Sequence, residues 1–140
     1  MEDKLHIVVV EFANSGGLIH FDYQLCTALA NEGKAVTLIA GTEYELADLP
    51  HNFTVNKMLH LWENFDPQSM KAPLLNPWKR RLKKIFFNLR RAVRAVRVLS
   101  AWIQLTFYLT RTRPDLIQFS EIEHSFEVVF IIYLRHRGLV

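Results

Sequence analysis

The sequence has a single cysteine, Cys26, so no internal disulfide is available. Cys26 sits in an apolar helical pattern with no second thiol nearby, which favours a reducing, cytosolic setting. Long hydrophobic runs are also missing. The longest uncharged stretch, 98–110, is shorter than the roughly 20 residues that a spanning helix needs. The chain opens on Met1-Glu2-Asp3-Lys4, an acidic start followed by an apolar run of only about six residues, so neither a signal peptide nor a spanning segment is expected there. Five glycines and five prolines are too few for a low-complexity or collagen-like chain. What is present, half apolar and 22% charged residues over 140 positions, is ordinary globular usage for one domain able to bury a real core.

Acid is the most unevenly missing component. Between Asp66 and Asp115 there is none, while 12 of the 17 basic residues fall there; the remaining sequence carries all 14 acids. The formal charge of +3 is therefore a +12 block set into a −9 protein. Such asymmetry points to an anionic partner or surface for the block.

Residues 5–12 form a short β-branched run of the kind buried on both faces of a parallel sheet. Ala13-Asn14-Ser15-Gly16-Gly17 breaks that strand. Ile19, Phe21, Leu25, Cys26, Ala28 and Leu29 then recur at helical spacing up to Gly33, a terminal glycine. A second buried strand follows at 35–40. This strand, glycine turn, helix and strand make the right-handed crossover of doubly wound α/β sheets. A third strand is expected at 53–58, and Pro67, Pro73 and Pro77 mark an irregular excursion before a helical pattern over 79–109. That helix would be about 45 Å long if unbroken, against about 37 Å for a compact domain of this size. Two helices are therefore expected, broken near Ser100. A fourth strand at 115–120, a helix over 121–137 ended by Gly138, and the first residues of a fifth strand at Leu139 complete the reading. The expected fold is a Rossmann-like, three-layer α/β/α domain with a mainly parallel sheet, cut off after its fourth helix.

A glycine turn between strand and helix lets a ligand approach the backbone and presents amides to an anion. Here the dinucleotide fingerprint G-x-G-x-x-G is absent and no Walker lysine follows, so a purely structural turn is an equal reading.

The opening strand ending in Asn14-Ser15-Gly16-Gly17, the helix with Leu25, Ala28, Leu29, Ala30 and Gly33, the strand Val36-Thr37-Leu38-Ile39, and Pro114-Asp115-Leu116-Ile117-Gln118-Phe119-Ser120 with Glu121-Ile122-Glu123-His124-Ser125 resemble, in order and spacing, the N-terminal domain of GT-B-fold glycosyltransferases of the family 4, glycogen-synthase-like class. The resemblance spans most of the chain outside about 67–108 and implies an acceptor-side domain, with a basic helical insertion at about 78–110. It implies transfer of a sugar from a nucleotide-sugar to a lipid-linked or polysaccharide acceptor. The donor and its paired glutamates would belong to a C-terminal domain outside these residues; no cofactor is expected on this domain alone, and alone it is expected to be inactive. Ser15, Gly16, Gly17, His20, Glu121 and His124 are the implied substrate-binding positions. Two features depart from the family: Leu18, Ile19 and His20 stand where an acid often follows the glycines, and Gln118 and Phe119 replace basic or histidine residues. No catalytic base is assigned.

Glu121, Glu123 and His124 admit two readings, helix capping or cleft lining. No further His/Cys/Asp cluster completes a metal shell, so no metal site is expected. In the basic block, Lys79, Arg80, Arg81, Lys83, Lys84, Arg90, Arg91, Arg94 and Arg97 share a helix with Leu82, Ile85, Phe86, Leu89, Val93 and Val96. This is the composition of an interfacial helix whose apolar residues insert while cations meet anionic headgroups. The expectation is a peripheral protein on the cytosolic face of a membrane. The competing reading packs the stripe on the sheet. Nucleic acid is disfavoured, since no helix-turn-helix, zinc or RNP pattern accompanies the charge. A non-enzymatic anion-binding α/β module is the alternative class.

Overall fold

The computed structural model describes residues 4–60, 77–122 and 125–139, with backbone alone over 77–87 and at residue 90. The described elements are β1 (His6–Val10), α1 (Gly17–Asn31), β2 (Ala35–Gly41), β3 (Thr54–Leu59), α2 (Pro77–Thr112), β4 (Leu116–Phe119) and α3 (Glu127–His136). All four strands pair in parallel, in the order β3-β2-β1-β4. The α/β fold with a parallel sheet is as the sequence pattern predicts, because the β-branched run of β1 is buried on both faces.

Alternation along β1 sorts the core into two layers. Ile7 and Val9 join Ile19 and Cys26 of α1 and Leu38 of β2 on one side; Val8 and Val10 join Trp102, Leu105 and Leu109 of α2 and Leu134 of α3 on the other. Trp102 is the hub of the second layer. Its ring stacks on Phe12 at 5.0 Å and on Phe119 and Phe130 at 5.5 Å, and its indole N–H donates to the buried Glu127 carboxylate at 3.2 Å. Gly33 takes the left-handed conformation (φ 80°) that ends α1, with Lys34 N–H donating to the Leu29 carbonyl at 3.2 Å.

Three sequence expectations change. The basic helix does not break near Ser100: α2 runs through it for 36 residues, about 54 Å at 1.5 Å per residue. The Ser100 hydroxyl donates to the Arg97 carbonyl at 2.8 Å, so it is satisfied within the helix, and among the described side chains of α2 those from Val98 onward pack on the sheet. The domain therefore has three described helices, not four. Leu139 donates its N–H to the Leu134 carbonyl and its side chain joins the core, while Val140, the other residue of the expected fifth strand, lies outside the described residues. The helix expected from Glu121 starts instead at Glu127, with Phe126, which has no capping side chain, at its N-cap position. The excursion expected over 61–77 lies, up to residue 76, outside the described residues, and Pro77 opens α2.

The apolar stripe of α2 is not its packing face. Val98, Ala101, Trp102, Leu105 and Leu109 face the sheet. Leu89, Val93, Val96, Ile103 and Phe107, spaced by three, four or seven residues, lie about 180° away around the helix, and all are exposed, Phe107 to 69%. The reading in which this stripe packs on the sheet is overturned at Leu89, Val93 and Val96; the side chains of Leu82, Ile85 and Phe86 lie outside the described residues. Arg91, Arg94 and Arg97 accompany it, Arg91 and Arg94 exposed and Arg97 half-buried.

Candidate functional site

Strand order reverses between β1 and β4: the chain runs outward from β1 through β2 to β3 and then returns to the far side of β1. In open α/β sheets ligands bind outside the carboxyl ends of strands at such a switch point. Glu11 directly follows β1 there and Ser120 directly follows β4. Their backbone N–H groups still donate to sheet carbonyls, Glu11 to Ile39 at 3.0 Å and Ser120 to Val10 at 3.1 Å, so both side chains start from rigid positions.

Glu11 and Asp22 are fully buried. Asp22 sits on α1 three residues after Ile19 and four before Cys26, in the phase that faces the core. Its Oδ2 accepts from the Ser120 hydroxyl at 2.5 Å, bridging α1 to the end of β4. Glu11 Oε1 accepts from the Ala13 N–H at 2.6 Å, which turns the chain toward the glycines. Burial pushes the Glu11 carboxyl up to about 7; the Ala13 N–H opposes this, while the nearby Asp22 and Glu121 carboxyls reinforce it. Cys26 follows Asp22 by one turn on the buried face of α1, and burial with the Asp22 charge raises its thiol to about 12.

The glycine turn is built from its neighbours. Gly16 has φ 101°, a left-handed conformation that glycine accommodates, and it caps α1. Its N–H donates to Glu45 Oε2 at 3.1 Å, His20 Nε2 approaches Glu45 Oε1 at 3.4 Å, and the Glu45 N–H donates to the Asn14 carbonyl at 3.0 Å. A protein carboxylate thus occupies the turn, so an incoming anion would compete with Glu45 for the Gly16 amide. The Asn14 side chain lies over Gly41, where a Cβ would overlap it.

Of the positions the sequence singled out, Ser15, Gly16, Gly17 and His20 stand together at the start of α1, exposed. Glu121 is brought to the same edge, close enough to raise the Glu11 carboxyl. His124 lies outside the described residues, as do the side chains of Lys79, Arg80, Arg81, Lys83, Lys84 and Arg90. Sequence reasoning missed Glu11, Asp22 and Glu45. Two signals were present: an acid directly after a buried strand, and an acid in the core phase of an apolar helix. Glu45, in a polar loop after β2, carried none.

Among the described residues no group of three or more His, Cys, Asp or Glu is placed to hold a metal, and no helix is long and apolar enough to cross a membrane. A polar depression of about 510 Å³, lined by His6, Lys34, Thr37, His51, Asn52 and Thr54 among others, opens at the opposite, amino-terminal edge of the sheet. No protein family, curated protein or solved structure matches the chain.

Proposed function

We propose that this chain is the acceptor-side half of a GT-B-fold, family 4-like glycosyltransferase that moves a sugar from a nucleotide-sugar to a lipid-linked or polysaccharide acceptor at the cytosolic face of a membrane. The observation that carries the reading is the switch point itself: a glycine turn of amides and a buried carboxyl pair converge there on a parallel sheet. Amides at a helix N-terminus suit a diphosphate, and carboxyl oxygens suit sugar hydroxyls. The nucleotide-sugar itself is assigned mainly to a second domain, so the chain alone should not turn over.

The membrane part of the reading is favoured by α2. Its exposed apolar stripe and its Lys/Arg residues, without a single acid over 67–114, fit an interface with anionic headgroups. Each cation close to an anionic leaflet contributes up to about 1 kcal/mol. Sedimentation with phosphatidylserine-containing vesicles should carry the protein down, phosphatidylcholine vesicles should not, and charge reversal at Arg90, Arg91, Arg94 and Arg97 should abolish binding. Unchanged binding by that variant counts against the membrane surface.

The acceptor reading is tested by amide shift perturbation. A short-chain polyprenyl diphosphate glycoside should move the Gly16 and Gly17 amides; silence there at saturating micellar ligand would sink it. The alternative, a non-enzymatic anion-binding module, predicts that inorganic phosphate alone produces the same shifts.

A further inference from the structure

The helical layer that holds α2 also holds α3, and both pack on the same face of the sheet with Val8, Val10 and Trp102. Within α3, Glu127, Phe130, Ile131 and Leu134 turn inward, Phe130 onto the Trp102 ring and Glu127 onto its N–H. Val128, Val129, Ile132 and Tyr133 occupy the opposite side of the helix, and all are exposed, Val129 to 65%. A surface helix normally turns a polar face to water. This one turns apolar side chains outward, on the same side of the layer as the exposed Ile103 and Phe107 of α2. Charge divides the molecule in the same sense. Every exposed Lys, Arg, Asp or Glu side chain described on α2 and α3 is basic: Arg91, Arg94, Arg111 and Arg135, with Arg137 directly after α3. On the other side of the sheet, the end of α1 and the loop after β2, which packs there through Tyr44 and Leu46, carry the exposed acids Glu32, Glu43, Glu45 and Asp48. Tyr133 completes the pattern. The Arg137 Nε–H donates to its hydroxyl at 3.1 Å, and the guanidinium lies 5.5 Å from its ring centre. An aromatic ring with one wet, cationic end suits the headgroup level of a bilayer.

We propose that α3 is a second membrane-contacting element, so that the protein lies on an anionic leaflet by its whole α2/α3 layer and not by α2 alone. Val128, Val129 and Ile132 enter the boundary between headgroups and acyl chains, while Tyr133 and Arg137 stay among the headgroups. This rests on the membrane reading of α2 above and adds to it the residues and the orientation of contact. A second copy of the chain is a poor occupant, because pairing this layer with itself brings basic residues against basic residues. An anionic leaflet meets both the charge and the apolar side chains. The two stripes belong to one packed layer, so their contributions to binding multiply, and losing either releases the protein at high salt. With this layer on the bilayer, the acidic side faces water and the sheet lies along the membrane, its carboxyl-end edge opening beside the leaflet.

The test uses the full chain. Cys26 is buried, so an environment-sensitive fluorophore can be attached at single introduced cysteines: Val129→Cys on α3, Ile103→Cys on α2 and, as a control, Gln24→Cys, exposed on α1. Vesicles of phosphatidylserine and phosphatidylcholine should shift the emission of the first two labels to the blue and leave the control unchanged. Lipids with a doxyl group on the acyl chain should quench the same two. Val129→Ser with Ile132→Ser should weaken vesicle binding about tenfold or more, as two apolar side chains withheld from the interface imply. The thermal midpoint of that variant should not move, because both positions are exposed. A shift on α2 with none on α3, or binding unaltered by the double substitution, overturns the proposal and leaves the membrane reading of α2 standing. Failure of the unsubstituted chain to bind the vesicles overturns both. A blue shift of the α3 label on concentrating the protein without vesicles would make this face a contact between copies, and it overturns the proposal too.

Discussion

Burial acts on two acids of the same small region with opposite practical results. The Cys26 thiol, raised to about 12, stays protonated and sealed in the native protein, so iodoacetamide should not label it at pH 8 until the chain unfolds; prompt native labelling would contradict this burial. Glu11, raised to about 7, changes charge in the neutral range. Its folded carboxyl holds a proton more tightly than the unfolded one, so the folded state binds more protons between about pH 4.5 and 7. Stability should therefore fall as pH rises through that window and level off above it. Glu11→Gln should flatten the profile and gain at least about 1 kcal/mol at pH 8, the linkage value of one pKa unit, as read by urea denaturation at pH 5 and pH 8. Gly41 is a steric counterpart. Its missing Cβ is the space Asn14 uses, so Gly41→Ala should cost about 1–3 kcal/mol by overpacking and move the Asn14 to Gly17 amides in an NMR spectrum.

At the scale of elements, the four strands and α1 were legible because their signals are local: β-branched runs, a glycine turn and a left-handed Gly33. The course of α2 was not. A size argument placed a break at Ser100, yet nothing in the helix itself requires one, since the Ser100 hydroxyl is satisfied at Arg97. The same helix hid which of its faces packs. Its longer apolar stripe admits a core reading beside the interfacial one, but the shorter set around Trp102 carries the contacts, because Phe12, Phe119 and Phe130 converge there from the sheet ends and α3. The buried pair at the switch point was missed for a related reason: Glu11 and Asp22 are eleven positions apart in sequence, and only the fold sets one beside the other. Trp102→Ala should cost about 3–5 kcal/mol and leave the Glu127 carboxylate without its indole donor. Val96→Ser, on the opposite face, should leave stability within about 0.5 kcal/mol, a contrast that thermal denaturation resolves.

For the whole molecule, charge and apolarity are segregated together. All 14 acids lie outside 67–114, a segment whose charged residues are all basic and which carries the exposed stripe. On the membrane reading proposed above, such a surface would meet an anionic leaflet through two separable contributions. Coulomb attraction is screened as salt shortens the Debye length from about 10 Å at 0.1 M to about 3 Å at 1 M, whereas insertion of apolar side chains is not. Vesicle binding should accordingly fall steeply with salt yet retain a residue at 1 M. Charge reversal at Arg91, Arg94 and Arg97 should remove the salt-sensitive part. Val96→Ser with Phe107→Ser should remove the residue while leaving the salt slope unchanged, because neither carries charge. If both sets of substitutions altered only the slope, the stripe would have no part in membrane contact, and electrostatics alone would account for the binding.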